Sequence, residues 1–361
     1  MSSESTTAAF SATYLGTALV QRYVYGINVY AEHLAQLVDL DGFIDDFTER
    51  SHWLGKPVIR LADVPPDSWV VSCVTVQPKT ALQRLAVHGV RHCLDYYALA
   101  PLHPAALPQV HAVAATQKDH AQHPEKYAWV RSLLKEPTSL EVFDKVMAFR
   151  LTGDLSSMAD FEHATDRQYF EPFLSLRPGE VFVDGGGFDG DTTLELARHC
   201  PDFASVHFFE PAARTMTAAQ ARLTAFSPRI HFHPLGLYDR PTTLSFDASA
   251  GSASRIAEGG SETITVARLD DVVAERVSWI KMDLEGAELA ALQGSQRHIL
   301  NDHPKLAIAV YHDPADFWRI PAYVLGLRSD YAVHMRHYTE GWSETVMFFI
   351  PVQRQAASVA I

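Results

Sequence analysis

The stretch that most constrains the fold is Val181 to Thr193, which reads VFVDGGGFDGDTT. A short apolar run ends in Asp184, three glycines follow, and the helical pattern LELARH comes next. Glycine allows a sharp turn and the close approach of a ligand. A helix that begins after such a turn presents free N–H groups and the positive end of its dipole. The stretch therefore predicts a strand, a tight turn and a helix that bind a nucleotide or cofactor, although packing alone can also require such a loop.

A second apolar strand, Val206 to Phe209, ends in Glu210 and Pro211. The separation between Asp184 and Glu210 is close to the roughly 20 residues expected when an acidic residue binds the ribose of a nucleotide. A hydrogen bond to a charged group contributes about 1.5–3 kcal/mol. We therefore expect Glu210 to bind a ribose, and a solvated strand end is the alternative.

Four strings occur in a fixed order: VDGGGFDGDTT, FFEP, WIKMDLEGAELAALQGS and LAIAVYH. Together they resemble the FkbM family of S-adenosylmethionine-dependent methyltransferases, over about residues 168–351. The resemblance implies an α/β class I methyltransferase fold, Rossmann-like, with a mostly parallel seven-stranded sheet. It also implies S-adenosyl-L-methionine as the cofactor and a hydroxyl group of a saccharide or small molecule as the acceptor.

The composition narrows the possible partners. The chain has 361 residues, enough for two domains, and a net charge of −13. Because nucleic acids and anionic membranes are bound largely through Lys and Arg, we expect neither as a partner. No apolar stretch approaches the roughly 18 residues of a membrane helix, and the start MSSESTTAAF does not resemble a signal peptide. Three cysteines without CxxC spacing favour buried thiols in a reducing cytoplasm.

Strands that alternate with helices predict a second, smaller Rossmann-like α/β domain over residues 1–105. A helical bridge over residues 106–165 and the methyltransferase domain over 166–361 follow. The first domain has Gly26, Asn28 and Ala31 where a dinucleotide loop would read GxGxxG. A side chain at Asn28 would crowd a pyrophosphate. We therefore expect this domain to be structural, to present substrate, or to dimerise and so form a homodimer.

In the methyltransferase domain, five polar residues follow predicted strands: Asp184, Glu210, Asp239, Asp283 and His312. Ligands of open α/β sheets bind beyond the carboxyl ends of the strands, so these residues predict one common site. In that site we expect the acidic residue and glycines of the first turn to line the methionine half of the cofactor, and Tyr238 or Asp239 to lie near the adenine. The full set predicted to bind the cofactor is Asp184, Gly185, Gly186, Gly187, Asp189, Thr192, Glu210, Pro211, Tyr238, Asp239 and Asp283.

His312 and Asp283 are the predicted catalytic residues. His312 directly follows an apolar strand, and the pKa of histidine suits a general base near neutral pH. A purely structural histidine is the alternative. Asp283 and Glu285 also have oxygen ligands that hard cations prefer, but their spacing fits a plain strand end, and no metal is predicted.

Four residues are predicted to bind the methyl acceptor: Glu285, Arg255, Arg336 and His337. Arg255 lies in a loop of small residues with Ser252 and Ser254, where a flexible solvated loop is the alternative. Arg336 and His337 follow the sixth predicted strand. Two other classes of function remain open from the sequence: a non-catalytic nucleotide- or sugar-binding module, and an NAD-dependent oxidoreductase that uses one of the two glycine loops.

Overall fold

The computed structural model describes residues 3–247, 255–256 and 262–352. The chain forms two compact units, each of which combines segments that are distant in sequence. The amino-terminal unit comprises Met1–Gln122, Asp144–His163 and Thr339–Ser343, and the carboxy-terminal unit comprises His123–Phe143, Ala164–Tyr338 and Glu344–Ile361. The predicted bridge over residues 106–165 is thus divided between the two units, and its helix α7 (Pro137–Thr152) runs from one into the other.

The amino-terminal unit is built on a six-stranded sheet in the order β3-β4-β2-β1-β5-β6. The strands are β1 (Arg22–Tyr25), β2 (Gly42–Ile44), β3 (His52–Trp53), β4 (Lys56–Ile59), β5 (Trp69–Ser72) and β6 (His92–Asp95). Every pair is parallel except β3 with β4. The helices are α1 (Ser3–Tyr14), α2 (Val29–Leu37), α3 (Pro78–Val87), α4 (Tyr96–Leu99) and α5 (His111–Gln122). The predicted small parallel α/β domain is therefore present.

One local prediction in this unit is wrong and another is confirmed in one of its alternatives. The pattern RHCLDYY predicts one strand, but β6 ends at Asp95, whose side chain accepts the N–H of Ala98 and so starts α4. The pattern of the first 20 residues predicts a loose tail or a partial helix, and the structure has the helix α1 there. Phe10 and Tyr14 on α1 are buried, and the hydroxyl of Tyr14 donates to the carbonyl of Tyr23 at 2.9 Å.

The carboxy-terminal unit is built on a seven-stranded sheet in the order β16-β17-β15-β14-β7-β8-β9. Its strands are β7 (Val181–Gly185), β8 (Ser205–Phe209), β9 (Ile230–His233), β14 (Trp279–Met282), β15 (Lys305–Ala309), β16 (Tyr331–His337) and β17 (Thr345–Pro351). Strand β17 runs antiparallel to both of its neighbours, β15 and β16, and the other strand pairs of this sheet are parallel. The predicted fold class, with its mostly parallel seven-stranded sheet, is confirmed.

A separate four-stranded sheet has the order β10-β13-β11-β12. Its strands are β10 (Gly236–Leu237), β11 (Thr242–Asp247), β12 (Arg255–Ile256) and β13 (Glu262–Ala267). The remaining helices are α6 (Pro124–Leu133), α8 (Asp191–His199), α9 (Ala213–Arg222), α10 (Leu269–Val272), α11 (Glu288–Gln293), α12 (Gln296–Asn301) and α13 (Asp316–Leu327). Short 3-10 helices are Leu61–Asp63, Ala100–Leu102, Leu155–Met158, Pro172–Leu174 and Thr224–Arg229.

The order of strands locates the crevice of the large sheet. The chain proceeds from β7 outward through β8 to β9, and then returns to the other side of β7 with β14 and β15. Ligands of open α/β sheets bind where the strand order reverses in this way. The neighbouring strands β7 and β14 are buried, with Phe182 and Trp279 in contact at 4.3 Å between ring centroids. The crevice therefore has a rigid floor.

Two elements of this unit depart from the sequence pattern. The sequence pattern predicts one helix over residues 288–301, but α11 ends at Gln293, and the carbonyl of the next residue, Gly294, accepts the N–H of Asp270. A Cβ at Gly294 would lie 2.0 Å from the carbonyl oxygen of Tyr238, so only glycine allows this contact. The sequence pattern predicts a third strand over residues 230–235, but β9 ends at His233, and β10 pairs with β13 in the smaller sheet.

Among the helices in the described part of the chain, none combines the length and the apolar character needed to cross a membrane.

Candidate active site

The glycine loop after β7 is closely packed against its neighbours. Gly186 has φ of +72°, and a Cβ there would lie 1.9 Å from the carbonyl oxygen of Asp283. A Cβ at Gly187 would lie 2.2 Å from the ring of Phe208. Packing within the protein thus requires glycine at positions 186 and 187, and the loop brings the ends of β7 and β14 together. Helix α8 begins directly after Gly190, which has no side chain to cap it.

A buried ion pair joins these two strands. Asp184 on β7 and Lys281 on β14 are register partners, and Nζ of Lys281 lies 3.2 Å from Oδ1 of Asp184. The other carboxylate oxygen accepts the hydroxyl of Thr193 at 2.7 Å, and Lys281 also donates to the carbonyl of Gly186 at 2.8 Å. Burial alone lowers the pKa of Lys281, but Asp184 and Asp283 outweigh it, and the pKa is raised. Lys281 therefore stays charged and fixes the loop.

Lys281 is a residue that the sequence analysis did not single out. The available signal was a lone lysine within the otherwise apolar strand WIKM, since a buried lysine almost always has an acidic partner. Both carboxylate oxygens of Asp184 have partners within the protein. Its expected contact with the methionine half of the cofactor stays a prediction.

Glu210 directly follows β8 and is almost fully buried at the edge of the glycine loop. Its Oε1 accepts the N–H of Ala212 at 2.8 Å. Burial raises the pKa of Glu210, against the hydrogen bonds from Ala212 and Phe188 that lower it. The contact with Phe188 brings the carboxyl group to the loop, as the sequence predicts for a ribose-binding residue.

The other predicted cofactor residues lie near the same edge or beside it. Asp189 forms an ion pair with Arg222 at 2.6 Å, and the N–H of Thr192 is bonded to Asp191. Pro211 lies 3.9 Å from the position that a Cβ of Gly236 would take, which places it next to β10. Tyr238 and Asp239 directly follow β10, and Gly185 is the last residue of β7.

Asp239 therefore does not end a strand of the large sheet, as the sequence suggested, because β10 belongs to the smaller sheet. Its Oδ2 contacts Arg240 at 3.3 Å, while Oδ1 is buried without a hydrogen-bond partner in the described part of the chain. Such an oxygen normally requires a donor.

Asp283 directly follows β14 and is held by two buried tyrosines. The hydroxyl of Tyr169 donates to Oδ2 at 2.7 Å, and the hydroxyl of Tyr311 donates to Oδ1 at 3.2 Å. Tyr169 and Tyr311 come from distant segments, which is why the sequence pattern around Asp283 did not reveal them. They fix the orientation of the carboxylate.

His312 lies three residues beyond β15 and faces three carboxylates. Its Nε2 is 3.2 Å from Oε2 of Glu285 and 3.6 Å from Oδ1 of Asp283, and its Nδ1 is 2.9 Å from Oε1 of Glu288. These are ion-pair distances, but the angles are not those of hydrogen bonds. We refer to Asp283, Glu285, Glu288 and His312 as the carboxylate–histidine cluster.

The charges of this cluster affect its protonation. Burial alone lowers the pKa of His312, but Glu288, Glu285 and Asp283 outweigh it, and the pKa is raised well above the usual range of histidine. The imidazole is therefore positively charged near neutral pH. The predicted role of His312 as a general base remains a prediction, and it requires the imidazole to lose this proton first.

Two further carboxyl groups near the cluster have raised pKa values. Burial, followed by repulsion from Asp283, raises the pKa of Glu344 to about 7. Burial, followed by repulsion from Glu288, raises the pKa of Asp316 to about 8. Perturbed groups of this kind concentrate at functional sites. The crevice beyond β14 and β15 is therefore rich in acidic groups.

The predicted acceptor-binding residues have different positions. Glu285 belongs to the cluster, with φ of +53°. Arg336 pairs with Glu136 at 2.8 Å and with Glu171 at 3.3 Å, and the buried His337 contacts the hydroxyl of Thr345 at 2.9 Å. The side chain of Arg255, with Ser252 and Ser254, lies outside the described residues. The structure thus brings Glu285 to Asp283 and His312, and it gives Arg336 and His337 other partners.

Comparison with known proteins identifies this half of the chain. Residues 184–344, which include the glycine loop and the cluster, match the family model described as the methyltransferase FkbM domain. This segment belongs to the methyltransferase FkbM family. No curated protein sequence matches the chain.

Solved structures agree with the fold of the FkbM domain. The crystal structure of methyltransferase FkbM from Methylobacillus flagellatus KT is similar, with a TM-score of 0.71 and 24% identity. The similarity covers 95% of this chain and 93% of that chain, so it includes residues of both units and shows a shared fold. An rRNA methylase from Streptococcus thermophilus has a TM-score of 0.35 and 17% identity over 50% of this chain and 93% of that one, too distant for a conclusion.

Proposed function

We propose that the FkbM domain transfers a methyl group from S-adenosyl-L-methionine to a hydroxyl group of a saccharide or small-molecule acceptor. One observation carries the proposal. The glycine loop, the buried Glu210 and the carboxylate–histidine cluster all lie at the carboxyl ends of β7, β8, β14 and β15, where the strand order reverses.

The proposed donor site extends along the ends of β7 and β8. The glycine loop ends β7 at this edge, and the buried Glu210 beside it would accept hydrogen bonds from the ribose hydroxyls of the donor. The unpaired Oδ1 of Asp239 is suited to accept an N–H from the adenine. Asp189, Thr192, Pro211 and Tyr238 complete the proposed contacts. The donor's sulfonium supplies the methyl group.

In the proposed reaction the acceptor oxygen forms a bond to the methyl carbon as the carbon–sulfur bond breaks. The electron pair of that bond remains on sulfur, and the hydroxyl proton passes to a base. Asp283, or His312 once its imidazole is neutral, would take this proton, with Asp283 oriented by Tyr169 and Tyr311. Positioning of the two reactants contributes about 7–11 kcal/mol to such reactions, and a base about 10²–10⁴-fold in rate.

For the acceptor, we propose an uncharged or weakly basic molecule with hydroxyl groups. The acidic residues around Asp283 would repel an anionic acceptor, and they offer many hydrogen-bond acceptors for hydroxyls. Glu285 is the first candidate for this contact, and Arg255, Arg336 and His337 remain candidates from the sequence.

The test is methyl transfer measured with a radiolabelled donor across a panel of monosaccharides and hydroxylated small molecules. We expect transfer to at least one hydroxyl acceptor and a weaker donor affinity in Glu210→Gln, by about 1.5–3 kcal/mol. Glu195→Gln is the matched control, because Glu195 lies on α8 and forms an ion pair with Arg198 on the next turn of the same helix.

The rival functions give different results in the same experiment. A binding module would bind the donor without releasing its demethylated product on any acceptor. An oxidoreductase would bind NAD in place of the donor. Undiminished donor affinity in Glu210→Gln would show that Glu210 does not bind the ribose. The absence of a labelled product with every acceptor would contradict methyl transfer itself.

A further inference from the structure

The carboxylate–histidine cluster contains a group of three side chains with the composition of a metal site. Asp283, Glu285 and His312 each bring one ligand atom to within 4.8 Å of the other two. Their side chains are 18%, 24% and 8% exposed, so the group is sheltered and still accessible. They come from the segments that follow β14 and β15, which are neighbours in the sheet.

The two ring nitrogens of His312 face different carboxylates. Nδ1 faces Glu288, which is fully buried and is held by the N–H groups of Leu284 and Gly286 at 2.7 and 3.1 Å. Nε2 faces the other two carboxylates. Histidines that bind metals typically have a carboxylate beside their second nitrogen, as Glu288 lies at ion-pair distance from Nδ1.

His312 also lacks a satisfying partner. The ring is nine-tenths buried, yet neither nitrogen has a hydrogen-bond partner in residues 3–247, 255–256 and 262–352. Buried polar atoms are nearly always paired. A cation that displaced the proton of Nε2 would give this nitrogen a ligand. Its distances of 3.2 and 3.6 Å to the carboxylate oxygens of Glu285 and Asp283 match the spacing around a cation that is bound at about 2.0–2.2 Å.

We propose that Asp283, Glu285 and His312 bind a divalent first-row transition cation such as Mn²⁺ or Zn²⁺. Carboxylates alone would suit Mg²⁺ or Ca²⁺, but the imidazole shifts the preference toward the transition series. Glu288 fixes the imidazole, and the hydroxyls of Tyr169 and Tyr311 fix the carboxylate of Asp283. The ligand set leaves positions for water or for an acceptor oxygen.

The role of the cation rests on the proposed methyl transfer, whereas its binding does not. A bound divalent cation lowers the pKa of an oxygen that it holds. An acceptor hydroxyl held there would lose its proton more readily and would be fixed near the donor. Asp283, Glu285 and His312 would then act as ligands, and the proton would pass to solvent or to a carboxylate that is not a ligand.

The experiment is a titration of the chelator-treated full chain with Mn²⁺. Binding is measured as the loss of the electron paramagnetic resonance signal of free Mn²⁺. We expect one saturable site per chain, displaced by Zn²⁺. His312→Ala and Glu285→Gln should weaken binding at least 10-fold, and Glu288→Gln about 10–100-fold. The thermal transition of each variant shows whether it is folded. If His312→Ala is unfolded, the Mn²⁺ affinity of Glu285→Gln provides the test.

A second group of possible ligands provides the matched control. His207, His231 and Glu275 also bring their ligand atoms within 4.8 Å of one another, but both ring nitrogens of His207 already contact His233 and Glu275 at hydrogen-bond distance. We therefore expect no cation there, and His231→Ala should leave the Mn²⁺ affinity unchanged. The proposal is overturned if no saturable binding occurs, or if His231→Ala abolishes binding and His312→Ala and Glu285→Gln preserve it. Calorimetry with S-adenosylhomocysteine on the same samples separates the two proposals, since Mn²⁺ binding without donor binding would refute the methyl transfer alone.

Discussion

Each unit of the molecule has a glycine turn after the first parallel strand of its sheet, and the two turns differ at the helix that follows. After β1, Gly26 has φ of +95°, and the side chain of Asn28 accepts the N–H groups of Tyr30 and Ala31 at 3.0 and 3.2 Å. The amide of Asn28 also donates to the carbonyl of Cys73 at 2.7 Å. After β7, α8 is preceded by Gly190, which has no side chain for such a cap.

The difference shows that a similar strand–glycine–helix pattern can serve two purposes. In α2 the positive end of the helix is already satisfied by the protein itself, so a phosphate or carboxylate gains little there. In the FkbM domain the turn lies beside Glu210 and the carboxylate–histidine cluster. We therefore assign ligand binding to the second turn, and the predictions below test this contrast.

The largest effect is expected from Gly186→Ala. The new Cβ would combine left-handed strain with a 1.9 Å approach to the carbonyl oxygen of Asp283. The upper ranges for strain and overpacking give a loss of roughly 4–6 kcal/mol in the free energy of unfolding. Gly26→Ala should cost less, because its nearest neighbour is a side-chain atom of Val74 at 3.3 Å.

Urea denaturation measures both losses. Gly179→Ala is the control for strain alone, since Gly179 has φ of +87° and no atom within 4 Å of its added Cβ. Equal losses in Gly186→Ala and Gly179→Ala would mean that the packing of the loop against Asp283 contributes nothing.

The buried ion pair should give the next largest effect. Lys281→Met leaves the carboxylate of Asp184 buried without its cation, which costs about 3–5 kcal/mol. The double variant Asp184→Asn with Lys281→Met removes both charges and should recover part of this loss. A double-mutant cycle in urea measures the coupling. Additive effects of the two substitutions would show that the pair does not hold β7 to β14.

A smaller effect is expected at the cap of the first turn. Asn28→Ala removes the hydrogen bonds to Tyr30 and Ala31 and should lower the free energy of unfolding by about 1 kcal/mol. Donor affinity should not change. Calorimetry and thermal unfolding on the same sample check both statements. A loss of donor affinity in this variant, with its fold intact, would contradict the separation of the two turns.

The smallest effect concerns pH. Burial raises the pKa of Glu210 above the usual 4.5 of glutamate. If the ionised carboxylate binds the ribose, donor affinity should fall as the pH decreases through this raised value, by up to about tenfold per pH unit. Glu210→Gln should lose this dependence. The measurement is donor affinity between pH 7 and pH 5, and an identical slope in both proteins would exclude Glu210 as the titrating group.

The sequence predicts most of the scaffold, because short-range patterns determine it. The glycine turn and the strands β7, β8, β14 and β15 follow from apolar runs and turn residues. The break at Gly294 could not be predicted, because it results from contact with Tyr238, a distant residue.

The site is predictable only in part, for the same reason. Asp283, Glu285 and His312 were identified from their positions at strand ends, and the structure brings them together. Their protonation depends on burial and on neighbours such as Glu288, which no local pattern reveals. Lys281 and Tyr169 act through contacts across more than 90 residues of sequence, as the separations of 97 and 114 residues to their acidic partners show.

Calorimetric titration of the full chain with S-adenosylhomocysteine, and separately with NAD, tests the contrast between the two turns most directly. We expect one S-adenosylhomocysteine site per chain in the micromolar range, about −8 kcal/mol, and no saturable heat with NAD. The site should be unchanged in Asn28→Ala and weakened in Glu210→Gln. Two sites per chain, saturable binding of NAD, or no binding of S-adenosylhomocysteine would contradict the account.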